Sequence, residues 1–207
     1  YFNASSSEIF KDYKNKKLNE NSQIYPTTPY GIAKSASHFL VNAYRKKYNL
    51  FLVNGILFNH ESFRNNERFL LKYLLKFSKK LKKNKIKKIS IIDSRPVRDF
   101  GCAKDYVNYI YKLMQLNKPD DFIVATGKSY SVKEVIKIYQ KKFNLSSNNF
   151  KFNNSIDFRF VYKCKLANNN KIKKKLKLRK IKNIKSLIDT IAKDEKQNNN
   201  IKSQVIF

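Results

Sequence analysis

The sequence predicts an α/β chain, a parallel sheet covered by helices, on three observations. Short apolar runs alternate with longer amphipathic stretches along most of the 207 residues, the strand–helix–strand rhythm of parallel sheets. Hydrophobic residues make up 42% of the chain and aromatics 14%, which is enough to bury the core of one domain or somewhat more and excludes disorder throughout. Boundary residues also fall at the joints between the runs.

Each element follows in order. "YFNAS" at the start reads as a strand, and Tyr30 to Tyr48 carries apolar residues at helical spacing. Pro29 restricts Thr28 to extended geometry and suits a helix start. "LFLVNGILF", Leu50 to Phe58, is the next strand, and Phe69 to Leu81 the next helix. "KISIID" at Lys88 to Asp93 is a strand, Asp105 to Leu116 a helix, and "DDFIVATG" a strand closed by Gly127, which lets the chain turn. Ser131 with Glu134 forms a capping box for a helix reaching Phe143. From Asn144 the periodicity fades through "SSNNFKFNN", read as a loop. It recovers weakly at Lys171 to Leu176 and Ile184 to Ala192, and a frayed end is expected after Lys193.

Lys+Arg of 45 against Asp+Glu of 15 gives a net charge of +30, which would ordinarily point to a polyanionic partner. The lysines instead fall in Lys/Asn/Ile-rich stretches such as "KFSKKLKKNKIKKIS", so solvated faces are expected rather than a nucleic-acid groove. Cys102 and Cys164 form no Cys-x-x-Cys, and His38 and His60 do not complete a metal site with them at usual spacing. No disulfide framework or bound metal is expected. No apolar run approaches the roughly 18 residues of a membrane span, so a cytoplasmic protein with no membrane partner is expected. The only methionine is Met114 and the chain opens on Tyr1, which reads as a piece of a longer protein. Gly31, Gly55, Gly101 and Gly127 lie too far apart to form a Gly-x-x-Gly-x-x-Gly phosphate turn.

Tyr30 and Lys34 are four apart on a helix and share a face. An ammonium beside a phenol favours the phenolate, which makes a usable general base. Spacing alone carries little, because Tyr13 and Lys17 repeat it in a polar stretch. "SSSE" adds context: it directly follows a strand, and along an extended chain Ser6 and Glu8 would face one side. Ligands bind at the carboxyl ends of parallel strands, where a hydroxyl and a carboxylate could donate a hydrogen bond and move a proton. A helix cap or solvated turn is the plainer reading of the same four residues.

"NASSSE", "YPTTPYGIAK", "YNLFLVNGILFNHES", "RDFGCAKDYV" and "DDFIVATGKSYSVKEV", in this order over about Tyr1 to Val135, resemble the GDP-mannose 4,6-dehydratases, members of the extended short-chain dehydrogenase/reductases. The resemblance implies a Rossmann-like fold that lacks its first strands here and ends in a small C-terminal substrate-binding α/β part. Residues 1–58 would finish an NADP-binding Rossmann-like domain, 59–193 would form a mixed substrate-binding region with the remaining Rossmann elements, and 194–207 would be a frayed tail. It implies an NADP-dependent lyase that converts GDP-mannose to GDP-4-dehydro-6-deoxy-D-mannose and works as a homo-oligomer when full length. Tyr30 would take the C4 hydroxyl proton and Lys34 would hold the nicotinamide ribose. Glu8 would remove the C5 proton, and Ser6 would stand in for the family's threonine. His60 and Arg64 would face the cofactor, while Asn59, Arg98 and Arg159 would face the sugar nucleotide.

Departures from the family pattern cluster among the residues that grip the nucleotide. Phe63-Arg64-Asn65-Asn66 stands for Pro-Arg-Arg-Gly, Leu71-Lys72-Tyr73-Leu74 for Thr-Arg-Lys-Ile, and Cys102 for a histidine. With no phosphate turn among its glycines, the chain alone is expected not to turn over. A catalytically decayed paralogue and a basic RNA-binding protein on the same scaffold are the alternative readings.

Overall fold

The computed structural model describes residues 1–11, 16–153, 164–178 and 181–204. In chain order the elements are β1 (Phe2–Ser6), a 3₁₀ turn (Ser7–Ile9), β2 (Lys17–Leu18), α1 (Pro29–Tyr48), β3 (Val53–Leu57) and β4 (His60–Glu61). There follow α2 (Leu70–Lys82), β5 (Ile89–Ile91), β6 (Val97–Asp99), β7 (Gly101–Cys102), α3 (Ala103–Leu113), β8 (Asp121–Val124) and β9 (Ser129–Ser131). The chain ends with α4 (Val132–Phe143), a second 3₁₀ turn (Ser147–Asn149), β10 (Phe150–Phe152), β11 (Leu166–Ala167), α5 (Asn170–Lys175) and α6 (Ile184–Gln204). The expected α/β class with parallel strands and flanking helices is what the chain forms.

The chain divides into two interleaved compact units, the first made of Tyr1–His60, Val97–Ser129 and Lys163–Ile181, the second of Glu61–Pro96, Tyr130–Tyr162 and Lys182–Phe207.

In the first unit β1, β3 and β8 form a parallel sheet in the order β1-β3-β8. Phe2 lies opposite Val53 and Ser6 opposite Leu57, while Asn54 pairs with Asp121 and Leu57 with Val124. The strands therefore end together at Ser6, Leu57 and Val124. Ile56, Phe58 and Ile123 pack with Ile9, Phe10 and Leu18 in one buried cluster, and Val53, Phe122 and Val124 pack with Tyr106, Tyr109 and Leu113 in another. Strands covered on both sides read as continuous apolar runs, which is why "LFLVNGILF" and "DDFIVATG" were visible in the sequence. β2 pairs in parallel with β11, and Val97 bridges Cys164.

In the second unit α2 and α4 pack together. Leu71, Leu74 and Leu75 of α2 are fully buried, as are Val135 and Tyr139 of α4, and the Tyr139 hydroxyl donates to Leu71 O at 2.6 Å. The Ser131–Glu134 capping box is present in both directions.

Two local expectations are corrected. Residues 150–152 form a strand, β10, parallel to β5: a three-residue run among asparagines has no periodicity to read, and pairing with β5 decides it. Fraying after Lys193 gives way to a helix that continues to Gln204. The relation of Ser6 to Glu8, open in the sequence, belongs to the site.

Candidate active site

Ser6 ends β1, but Glu8 is not extended beside it. The chain turns into 3₁₀ geometry at Ser7–Ile9, and the Ser6 Oγ caps that turn by accepting the Glu8 N–H at 3.2 Å. A hydroxyl can accept one bond and still donate its own proton, so Ser6 keeps a donor for a ligand. Glu8 shows 23% of its side chain to solvent.

α1 starts where its sequence dictates. Thr28 is extended and its Oγ1 accepts the Gly31 N–H at 3.0 Å, Pro29 occupies the first turn, and Asn49 ends the helix in the left-handed region at φ 51°. Gly31 is the contact that matters: a Cβ there would lie 2.5 Å from the Glu8 carbonyl oxygen. Only glycine lets the first turn of α1 sit against the turn that carries Glu8. The Lys34 Nζ donates to Ala4 O at 2.9 Å and lies 5.7 Å from the centre of the Tyr30 ring. Tyr30 is 55% exposed, so its phenol is open to a ligand at the carboxyl end of β1. The competing pair of the sequence, Tyr13 and Lys17, has Tyr13 outside the described residues.

The other expected residues divide by unit. Asn59 is exposed two residues past the end of β3, and its carbonyl accepts the Gly101 N–H at 2.8 Å. His60 is also exposed, with Nδ1 3.0 Å from Phe58 O and its ring 5.5 Å from Tyr106. Arg98 lies in β6, half-buried, and its Nη1 donates to Val97 O at 2.9 Å. The neighbouring Asp99 accepts the backbone N–H groups of Thr126 and Gly127 at 2.9 and 2.7 Å. This ties β6 to the chain just beyond the end of β8. Burial raises the Asp99 carboxyl to about 6 against those hydrogen bonds, which lower it.

Ser6, Glu8, Tyr30, Lys34, Asn59, His60 and Arg98 thus belong to one unit; Ser6 ends β1, Asn59 and His60 follow the end of β3, and Gly31 seats the helix of Tyr30 and Lys34 on the Glu8 turn. Arg64 belongs to the second unit, exposed with its guanidinium 5.3 Å from the Phe63 ring. Arg159 lies outside the described residues.

Two features escaped the sequence reading. Lys165 is only 2% exposed, and its Nζ donates to Ser7 O at 2.9 Å and Phe10 O at 3.0 Å and lies 3.6 Å from the Glu8 carboxylate. In "KCKLANNN" it looks like one more surface lysine. Beneath the site, Asp121 accepts from Arg45 at 2.7 Å, Asn54 at 3.0 Å and Asn42 at 3.2 Å, and lies 3.2 Å from His38 Nε2. Burial would raise its carboxyl, but these partners outweigh burial and hold it well below the usual carboxylate range. His38 continues the network through Nδ1 to the Ser5 hydroxyl at 3.1 Å. Among the described residues no three His, Cys, Asp or Glu side chains gather as a metal cluster, and no helix is long and apolar enough to cross a membrane.

The family model described as GDP-mannose 4,6 dehydratase matches residues 1–197. GDP-mannose 4,6 dehydratase 2 of Caenorhabditis elegans is 37% identical over 134 residues, 65% of this chain and 35% of that protein. The Homo sapiens GDP-mannose 4,6 dehydratase is 37% identical over 136 residues, 66% of this chain and 37% of that one. GDP-mannose 4,6 dehydratase 1 of Arabidopsis thaliana is 34% identical over 168 residues, 81% of this chain and 45% of that one. The chain spans from about a third to just under half the length of these relatives. Among solved structures, dTDP-glucose 4,6-dehydratase from Bacillus anthracis in complex with NAD superposes with a TM-score of 0.82 at 14% identity, covering 96% of this chain and 62% of that one. RMD from Pseudomonas aeruginosa complexed with NADPH also gives 0.82 at 14%, covering 95% and 65%. At that identity the likeness speaks for the fold.

Proposed function

The chain belongs to the GDP-mannose 4,6 dehydratase family, and from that premise we propose that it supplies the catalytic side of a GDP-mannose 4,6-dehydratase. The reaction is GDP-D-mannose to GDP-4-dehydro-6-deoxy-D-mannose and water, in the cytoplasm, with NADP as cofactor. The observation that carries this reading is the seat of Gly31 on the Glu8 carbonyl, which sets the helix with Tyr30 and Lys34 against the turn with Ser6 and Glu8.

An exposed phenol and an ammonium held on the Ala4 carbonyl of a parallel strand suit the ribose end of a nicotinamide cofactor. Lys34 and Tyr30 would hold it there, with His60 also on the cofactor; the four glycines of the chain supply no pyrophosphate cradle. Bound there, the cofactor would supply reversible hydride exchange with the sugar.

The residues of this chain move the protons. Tyr30 takes the proton of the C4 hydroxyl while the Ser6 hydroxyl donates to the same oxygen and holds the sugar in register. The resulting C4 ketone makes the C5 proton acidic. Glu8 removes that proton and passes it to the departing C6 hydroxyl, which leaves as water. The proton taken at the C4 oxygen balances the one C5 needs after reduction at C6. Asn59 and Arg98 would bind the sugar diphosphate, where a guanidinium fork matches a phosphate. A homo-oligomer is the working assembly.

The test uses the complete protein with NADP and GDP-mannose. Tyr30→Phe should lower turnover by about 10²- to 10⁴-fold, the usual contribution of a general acid–base. Glu8→Gln should still generate enzyme-bound reduced cofactor, seen by absorbance, yet release no 6-deoxy product. Release of that product at the normal rate from Glu8→Gln would remove Glu8 from the mechanism.

A further inference from the structure

The geometry points to Lys165 as the positioning residue of Glu8: a buried ammonium that braces the turn on both sides of the carboxylate and keeps that carboxylate charged. This rests on Glu8 being the C5 base.

Burial of an ammonium is costly unless partners replace its water. At 2% exposure Lys165 has lost nearly all of it. Its Nζ donates to Ser7 O and Phe10 O, the carbonyls one residue before and two residues after Glu8. Carbonyls carry only partial charge, whereas the Glu8 Oε2 at 3.6 Å carries a full one when ionised. One side chain therefore fixes the backbone of the Glu8 turn and sets a positive charge beside its carboxylate.

The lysine is itself held from both sides. Cys164 bridges Val97, Leu166 and Ala167 pair with Lys17 and Leu18, and the Ser129 hydroxyl donates to the Lys165 carbonyl at 3.4 Å. Cys164 and Ala167, its near neighbours, are buried too. An apolar side chain would fit that environment at lower cost, so a lysine there calls for a role. Of the elements packed on the Glu8 turn, α1 brings Tyr30 and Lys34, whose ammonium is bound to Ala4 O. The chain after the turn brings Lys11, whose ammonium lies 5.5 Å from the Tyr25 ring centre. Among the described residues, Lys165 brings a charge to the carboxylate from a distant segment.

The test is a carbon-13 NMR titration of the Glu8 side-chain carboxyl in the 207-residue chain, wild type against Lys165→Met. The Glu8 midpoint should move up by about one pH unit, the loss expected when an opposite charge within about 4–6 Å is removed. A role confined to packing would lower the melting temperature and leave the midpoint in place, and that result would overturn the inference. Should Lys165→Met fail to fold, the reciprocal experiment keeps Lys165: in Glu8→Gln the Lys165 ammonium should titrate at lower pH than in the wild type, and an unchanged value overturns the inference equally. Neither measurement uses turnover. A linked pair with an active Glu8→Gln enzyme would refute the reading of Glu8 as base, while an unlinked pair with an inactive Glu8→Gln enzyme would refute only the role of Lys165.

Discussion

The two units use charge in opposite ways. In the first, Asp121 at the head of β8 takes bonds from Arg45 and Asn42 on α1 and from Asn54 on β3, with His38 alongside. These side chains are mostly shielded, and they lock the helix that carries Tyr30 and Lys34 to the sheet beneath it. In the second unit the pairs Lys76–Glu67 and Lys142–Asp189 lie toward solvent, with Glu67 55% and Asp189 63% exposed. There Leu71, Leu74, Leu75, Val135 and Tyr139 do the packing. Buried pairs cost several kcal/mol to break and exposed pairs about one or less. Polar geometry therefore matters where the candidate chemistry sits, and the lysine-rich surface elsewhere contributes mainly solubility.

The sharpest way to break this comparison is Asp121→Asn. Removal of the charge facing Arg45 and His38 should cost about 3 kcal/mol in urea unfolding at pH 7. The Asp121 carboxyl titrates below its ordinary range in the fold, so its stabilisation is present above that range and is lost as pH falls through the folded value. The variant should accordingly lack that part of the acid-induced loss. A cost no larger than that of an exposed pair would erase the distinction between the units.

Glu61 sharpens the comparison from the other side, as a buried carboxylate in the second unit. Burial raises it from 4.5 to about 7, against hydrogen bonds from Asn65 and the Leu71 backbone. A raised carboxyl means that the folded chain keeps a proton the unfolded chain has lost, so stability falls as pH rises from about 4.5 to about 7. Glu61→Gln should remove that slope and gain about 2 kcal/mol over the wild type at pH 8. Parallel pH–stability curves for the two proteins would contradict it.

Gly31→Ala comes next. A methyl group 2.5 Å from the Glu8 carbonyl should cost about 2 kcal/mol in thermal unfolding, as overpacking does, and should lower turnover of the complete protein by shifting Tyr30 relative to Glu8. Full activity in that variant would show that the close seat of α1 is dispensable. The smallest effect belongs to Lys142→Ala, which opens the exposed pair with Asp189 and should change stability by about 0.5 kcal/mol or less, fading further in salt.

Most of the scaffold was legible because apolar periodicity reports burial directly. The helix over Pro29–Tyr48 begins with the Thr28 cap and Pro29, and the one over Val132–Phe143 with the Ser131–Glu134 box; both are local signals. β10 was not legible, since its three residues become a strand only through β5. In the candidate site, Tyr30 and Lys34 were legible as a pair on one helix face. The relation of Ser6 to Glu8 stood open between a continued strand and a capped turn, because the two look the same in sequence; the Ser6 cap on the Glu8 N–H decides for the turn.

The order of polar and apolar residues by itself determined the α/β class, the covered parallel strands and the face shared by Tyr30 and Lys34, because these depend on neighbours a few residues apart. Only the tertiary structure decided that Gly31 rests on Glu8, that Asp121 gathers donors from α1 and β3, and that Lys165, more than 150 residues away in sequence, stands beside the Glu8 carboxylate. The physical reason is that a lysine's cost and use depend on whether water surrounds it, and water is excluded from Lys165 by strands and turns drawn from distant parts of the chain.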